Sequence, residues 1–270
     1  MKRIIVPTDF SVNARNAFNY AYSNYGTDVE YVLLNTYEAP NAGNGMLVSI
    51  DEILEKESIK GLKVEYGILS EMYPDANIVT ESVYGAVEDG IRRVNTKKEC
   101  HIVVIGTTGA TGLKGVFLGS NAERVIRESI LPVLAIPAEC HKVEMNKFVF
   151  AADFKTIHHE STFDPLLVFV NQHNGTVDIV HVHDPELDDE QEHSLGREQL
   201  RTIFSAVNYK VEEIPDDNVL EAVGEYIDKH EVDVLVVIPR KTSFFKRLFK
   251  KSISKGLAYS SKVPLLTLKD

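Results

Sequence analysis

The residues best placed to do chemistry in this chain are spaced glycines followed by a hydroxyl. The apolar run "HIVVI" ends at Gly106, and Gly109, Gly112, Gly115 and Gly119 follow before Ser120. Two residues separate Gly106 from Gly109, and nine separate Gly109 from Gly119. Beyond Ser120, the apolar positions Ala122, Val125, Ile126 and Ile130 recur at helical spacing and predict a buried helix face. The stretch therefore reads as strand, loop and helix. Bare backbone at such a turn exposes several N–H groups. Glycine lets that backbone approach an oxyanion and take positive φ, and the helix adds its positive end. The implied chemistry is a phosphate cradle in which Ser120 caps the helix and donates its hydroxyl. The pattern is neither G-x-x-x-x-G-K-[ST], since no Lys precedes Ser120, nor G-x-G-x-x-G.

A second candidate is Asp9, at the carboxyl end of the apolar run 3–7 in "VPTDFS". A carboxylate there can accept hydrogen bonds from ribose hydroxyls or help hold Mg²⁺; it can also simply cap the next helix. Ser11 is a good N-cap for a helix through Tyr25, with Ala14, Ala17, Phe18 and Ala21 on one face.

These groups need elements to hold them. Apolar runs near 3–7, 30–36, 77–83, 101–105 and 133–137 predict strands. Amphipathic segments at 51–67 and 84–97 predict helices between them. Strand and helix alternate, and the strands are mostly apolar, which predicts a parallel sheet covered on both faces. The segment 39–50, rich in Gly, Asn and Pro, follows the carboxyl end of the second strand and reads as a surface loop or a lid.

The pattern is written twice. "KRIIVPTDFS" resembles "NKFVFAADFK", "HIVVIGTTG" resembles "DVLVVIPRK", and "SILPVLAIPA" resembles "SSKVPLLTLK", in the same order. Asp9 and Asp153 stand farther apart than Pro132 and Pro264, so the first copy carries extra residues between its first and last strands. The expected domains are 1–141 and 145–270, packed together across a short polar joint. The fold class is α/β: two tandem open five-stranded parallel-sheet sandwiches, Rossmann-like.

Gly106-x2-Gly109-x9-Gly119-Ser120, with "VPTDFS" after the first strand and "SILPVLAIP" at the last, resembles the ATP-binding branch of the universal stress protein family. The likeness covers both copies, as in a tandem member of that adenine nucleotide alpha hydrolase-like group. It implies ATP with Mg²⁺ as ligand. It puts Asp9 beside the adenosine, preceded by Pro7 and Thr8, and Thr36 where main chain reads adenine. The family usually has Val at that position, a departure in side chain alone. Ile105 and Gly106 would lie at the adenosine, and Gly109, Gly119, Ser120 and Asn121 at ribose and phosphates. The tandem copies resemble the family's homodimer folded into one chain, an intrachain pseudo-dimer through the last strands, and the sequence leaves a further homodimer open.

In the second copy Pro239 replaces the first glycine, and Lys251-Ser252 stands for Gly119-Ser120 at an interval one residue shorter. Phe244, Phe245, Leu248 and Phe249 add bulk, so ATP binding of the family kind is not expected there, although Asp153 persists. Arg240, Lys241, Lys246, Arg247, Lys250, Lys251 and Lys255 make the same stretch a basic amphipathic segment. Either its apolar residues fill the vacated pocket, or it meets an acidic partner or a membrane surface. His181 and His183 share one face of a strand end before Asp184, which is a polar strand end or a Zn²⁺ site.

The chain has 270 residues, a net charge of −11 and two cysteines without metal-ligand spacing. The acidity argues against a general nucleic-acid binder. The cysteines predict a reducing, cytoplasmic setting without a disulfide framework. No window approaches the roughly 20 apolar residues of a membrane span, and "MKRIIVPTDF" is too short in apolar residues for a signal-peptide core. No Ser-His-Asp, Cys-His or paired-carboxylate arrangement stands out. Lys114 and Arg124 lie off the motif positions, so slow hydrolysis at most is expected. The function expected is nucleotide-dependent stress signalling, with a scaffold holding structural nucleotide or a slow ATPase as alternatives.

Overall fold

A computed structural model describes residues 2–38, 50–108, 118–183, 190–239 and 263–270. The chain divides into two compact units, Met1–Ala138 and Glu139–Asp270.

In the first unit, strands β1 (Lys2–Pro7), β2 (Val29–Tyr37), β3 (Asn77–Tyr84), β4 (Ile102–Gly106) and β5 (Val133–Ile136) alternate with helices. The helices are α1 (Val12–Tyr25), α2 (Ile50–Met72), α3 (Val87–Lys97) and α4 (Ser120–Glu128). The sheet is parallel, in the order β3-β2-β1-β4-β5. Its central strands are continuous apolar runs because both faces are covered: Ile4, Ile5, Val6, Val103 and Val104 have no exposed surface. The strand order reverses between β1 and β4. A crevice forms at their carboxyl ends, the usual ligand position in such sheets.

Ser11 caps α1 as its sequence predicts, its Oγ accepting from the Ala14 N–H at 3.2 Å. Ser11→Ala is expected to cost about 1 kcal/mol, measurable as a lower urea midpoint for the first unit.

The second unit repeats the plan with β6 (Lys147–Ala151), β7 (Thr176–His183), β8 (Asn208–Pro215), β9 (Val234–Val237) and β10 (Leu265–Thr267). Helices α5 (Asp164–His173), α6 (Glu190–Ile203) and α7 (Val219–His230) lie between them. Its parallel order is β8-β7-β6-β9-β10, the same connectivity. The first helix is not an exact copy. α1 begins just after Asp9, whereas α5 follows a 3₁₀ turn at Glu160–Phe163. Asp270 anchors that turn: its Oδ1 accepts from the N–H groups of His158 and His159 and from the Thr162 hydroxyl.

Ladder register aligns the two copies residue by residue. Ile4 pairs with Ile102, and Phe148 with Val234. Counting along the strands, the counterpart of Gly106 is Ile238. Pro239, which sequence matching sets there, falls one position later. Lys251-Ser252 then stands at the same offset from Ile238 as Gly119-Ser120 from Gly106.

Two helix ends differ from expectation. α2 runs to Met72 rather than stopping at Gly67, because Leu69, one turn from the end, is buried. α4 ends at Glu128, which leaves Ile130 half-exposed instead of on the buried face. The extra length of the first copy falls partly in α2, which has 23 residues against 14 in α6.

Candidate functional site

At the switch point of the first unit lies a cavity of ≈ 180 Å³. The ends of β1 and β4 supply Pro7, Thr8, Asp9, Ile105 and Gly106, and β2 supplies Asn35 and Thr36. The turn into α4 supplies Thr107, Thr108, Gly119, Ser120 and Asn121. Nine of the ten residues singled out in the sequence thus line one cavity. Gly109 lies outside the described residues, as do Lys114, Asp184, most of the segment 39–50 and the basic residues 240–255.

Each wall has a local cause. Thr8 Oγ1 accepts from the Phe10 N–H at 2.9 Å, and Asp9 Oδ1 accepts from the Ser11 N–H at 3.1 Å. Phe10 takes a positive φ of 66°. The chain therefore turns sharply after β1 and presents the exposed Asp9 at the rim. Asp9 does not cap α1 itself; it braces the residue that does.

On β2, the Leu34 C=O accepts from the Thr8 N–H at 2.8 Å, and the Tyr37 C=O accepts from the Gly85 N–H at 2.9 Å. Backbone groups alternate sides along a strand. The N–H and C=O of Thr36 therefore face the side of β1 beyond its last residue, into the crevice. Asn35 Nδ2 donates to the Thr8 C=O at 2.7 Å and holds the two strand ends together.

Gly106 is dictated by packing. A Cβ there would lie 2.6 Å from Asn13 Nδ2 and 2.9 Å from the Asn13 carbonyl oxygen. Asn13, buried in the first turn of α1, donates through Nδ2 to Thr108 O at 3.0 Å and to Thr108 Oγ1 at 3.2 Å. It fixes the start of the glycine loop against α1.

The far wall is the start of α4. The N-cap is Gly119, with no side-chain cap, and Ser120 is the first helical residue. This corrects the reading of Ser120 as cap: the Gly119 N–H donates to the Thr107 C=O at 2.6 Å, fixing the cap position one residue earlier. The first-turn N–H groups of α4 open beside the cavity with the helix's positive end. Among the described lining residues Asp9 is the one acidic or basic side chain; Arg124 instead faces Glu88 at 3.5 Å.

Asn13, Asn35, Thr107 and Thr108 were not legible as site residues. Asn35 carried the one available signal, a polar residue closing a buried apolar strand.

In the second unit, the His181 and His183 rings lie parallel, 5.8 Å apart, as their alternation predicts. Among the described residues, no group of three or more His, Cys, Asp or Glu is arranged to hold a metal ion. Cys100 and Cys140 are both buried and are not disulfide-linked. No described helix is long and apolar enough to cross a membrane.

The fold and cavity define a doubly wound α/β protein in two copies, with an open helix terminus at the first switch point. Residues 1–137 match the model of the universal stress protein family, and the chain belongs to that family. Universal stress protein MJ0531 of Methanocaldococcus jannaschii is 35% identical over 147 residues, covering 50% of this chain and 81% of that protein. A universal stress protein from Archaeoglobus fulgidus has the same fold over 99% of this chain and 96% of its own, at 17% identity and a TM-score of 0.66. A putative universal stress protein from Pseudomonas aeruginosa covers 100% of this chain and 93% of its own, at 13% identity and a TM-score of 0.58.

Proposed function

We propose that the first unit binds ATP with Mg²⁺ and that the protein acts in the cytoplasm as a nucleotide-dependent stress-signalling protein. One observation carries this reading: the uncapped start of α4 opens into the same cavity as the Thr36 backbone pair and Asp9. The Thr36 N–H and C=O match the acceptor and donor edge of adenine. Asp9 stands where ribose hydroxyls or a cation would lie. Thr107, Thr108, Ser120 and Asn121 supply side-chain donors for phosphate oxygens, and the helix terminus supplies positive potential. A triphosphate beside a carboxylate, with no described cation in the wall, needs a divalent ion. Mg²⁺, held by one carboxylate and phosphate oxygens, fits that donor set.

The same composition limits catalysis. Fast phosphoryl transfer needs a cationic group on the γ-phosphoryl and a residue that orients water, and the described lining holds no Lys or Arg and one carboxylate, Asp9. Asp9→Ala is expected to weaken Mg-ATP binding about 10- to 100-fold, the worth of a charge-assisted hydrogen bond. Unchanged affinity by titration calorimetry would reduce Asp9 to a brace for Ser11. Single-turnover hydrolysis by the wild type is expected below about 1 s⁻¹, the low end of enzyme rates; faster turnover would make it an enzyme.

The decisive experiment is mass spectrometry of the denatured purified protein for bound adenine nucleotide, with Gly119→Val as control. If the wild type neither carries nor takes up ATP, the proposal fails. Signalling through conformation predicts slower hydrogen exchange in peptides covering 101–108 once Mg-ATP is added.

A further inference from the structure

The second unit has a cavity at the matching place, of ≈ 220 Å³ against ≈ 180 Å³ in the first. Among the described residues, the substitutions in this copy have changed its walls and left a cavity.

Three features of the first cavity's nucleoside half persist. The first is backbone. The Val180 C=O accepts from the Ala152 N–H at 2.9 Å, and the His183 C=O accepts from the Asp216 N–H at 3.0 Å. By alternation, the N–H and C=O of Val182 face the side of β6 beyond its end, as those of Thr36 do beyond β1. The second is the carboxylate. Asp153 Oδ1 accepts from the Lys155 N–H at 3.2 Å, as Asp9 Oδ1 does from Ser11, and Phe154 takes a positive φ of 48° like Phe10. The third is the link between strand ends. His181 Nδ1 lies 2.9 Å from the Ala152 carbonyl oxygen, replacing the bond of Asn35 Nδ2 to Thr8 O. A carbonyl can only accept, so Nδ1 carries the proton in this bond.

At the phosphate half the counterparts of Gly119 and Ser120 lie outside the described residues, and the counterpart of Gly106 differs. Ile238 stands in place of Gly106, and it lines the cavity. Val182, Val219 and Val223 give an apolar wall that suits a flat ring, and Lys155 and His193 also line the cavity.

We propose that the second unit binds a nucleoside that lacks phosphate. The edge of its base meets the Val182 backbone, its ring lies among the valines, and its hydroxyls meet Asp153. The assignment of ligand class rests on reading the first cavity as a nucleotide site.

The test is titration calorimetry of the full chain with two probes, adenosine and Mg-ATP. Gly106→Val blocks the first cavity and Val219→Phe fills the second from a half-buried rim position. Gly106→Val is expected to lose ATP yet bind one adenosine. Val219→Phe is expected to keep ATP and to lose that adenosine by about tenfold or more, the loss of roughly one good contact. Asp153→Asn should give a similar loss without filling the cavity, so the result does not depend on how Val219→Phe folds. Should Gly106→Val unfold, wild type saturated with Mg-ATP should still take up one adenosine.

Adenosine binding that vanishes wholly with Gly106→Val overturns the proposal. So does a Val219→Phe-sensitive site that takes ATP as tightly as adenosine. Adenosine binding that depends on Val219 and Asp153, in a protein whose first unit takes no ATP, would support this site while ending the reading of the first.

Discussion

Gly106→Val is expected to abolish measurable Mg-ATP binding, raising Kd by at least about 100-fold, or about 2.8 kcal/mol. The effect has two sources. A Cβ at this position would lie 2.6 Å from Asn13 Nδ2 and 2.9 Å from the Asn13 carbonyl oxygen. Real Cβ contacts are not that short, and the second of these is to the backbone of a buried helix. Either α1 moves, which breaks the Asn13 bonds to Thr108, or the end of β4 moves, which carries Thr107 and Thr108 away from the cavity. The two methyl groups of valine then add bulk to the same clash against α1. Gly106→Ala, with the same Cβ clash but no methyls, should retain more affinity than Gly106→Val. Titration calorimetry on protein whose circular dichroism matches the wild type separates lost binding from lost fold. Binding by Gly106→Val within threefold of wild type would mean that nucleotide, if bound, sits elsewhere.

The strands were legible because both faces of this sheet are buried. Runs such as "IIVP" and "IVVIG" are apolar throughout, a pattern that few other elements produce. The glycine spacing was legible as a cradle because strand, loop and helix follow one another locally. Register was not local. Whether Ile238 or Pro239 answers Gly106 depends on hydrogen bonding of β9 to β6, and "VVIP" matches "VVIG" better by eye than by ladder.

The helix ends failed for energetic reasons. Gly67 looked like a stop, but one glycine inside a helix costs only about 1 kcal/mol, less than the burial of Leu69 returns. Asn13 escaped notice because its role arises across the fold, with Thr108, 95 positions away in sequence. His181 drew attention as a metal ligand by residue type. Its position says more, since it makes the bond that Asn35 makes in the other copy.

The same comparison of copies predicts the largest stability effect in the chain. Gly196 of α6 packs directly on the turn after β6: a Cβ there would lie 1.9 Å from the Phe154 carbonyl oxygen and 2.9 Å from that of Lys155. Both obstacles are backbone, and the turn cannot yield easily. Phe154 is held at positive φ, Asp153 braces the Lys155 N–H, and the Arg197 guanidinium lies 4.4 Å above the Phe154 ring. Alanine would gain about 1 kcal/mol of helix propensity. That gain is outweighed, because ordinary overpacking already costs about 1–3 kcal/mol and this contact is shorter than any that side-chain repacking relieves. Gly196→Ala should therefore destabilise the second unit by about 3 kcal/mol or more. Gly61 in α2 faces the Phe10 ring at 2.5 Å, where a side chain can swing, so Gly61→Ala should cost less. Gly67 has nothing within 4 Å, so Gly67→Ala should stabilise the first unit by about 0.5–1 kcal/mol. Hydrogen exchange resolved to peptides of each unit reads these effects separately. The expected order of stability is Gly67→Ala, wild type, Gly61→Ala, Gly196→Ala. A Gly196→Ala protein whose β6 and β7 peptides exchange as slowly as wild type would mean that α6 does not rest on this turn.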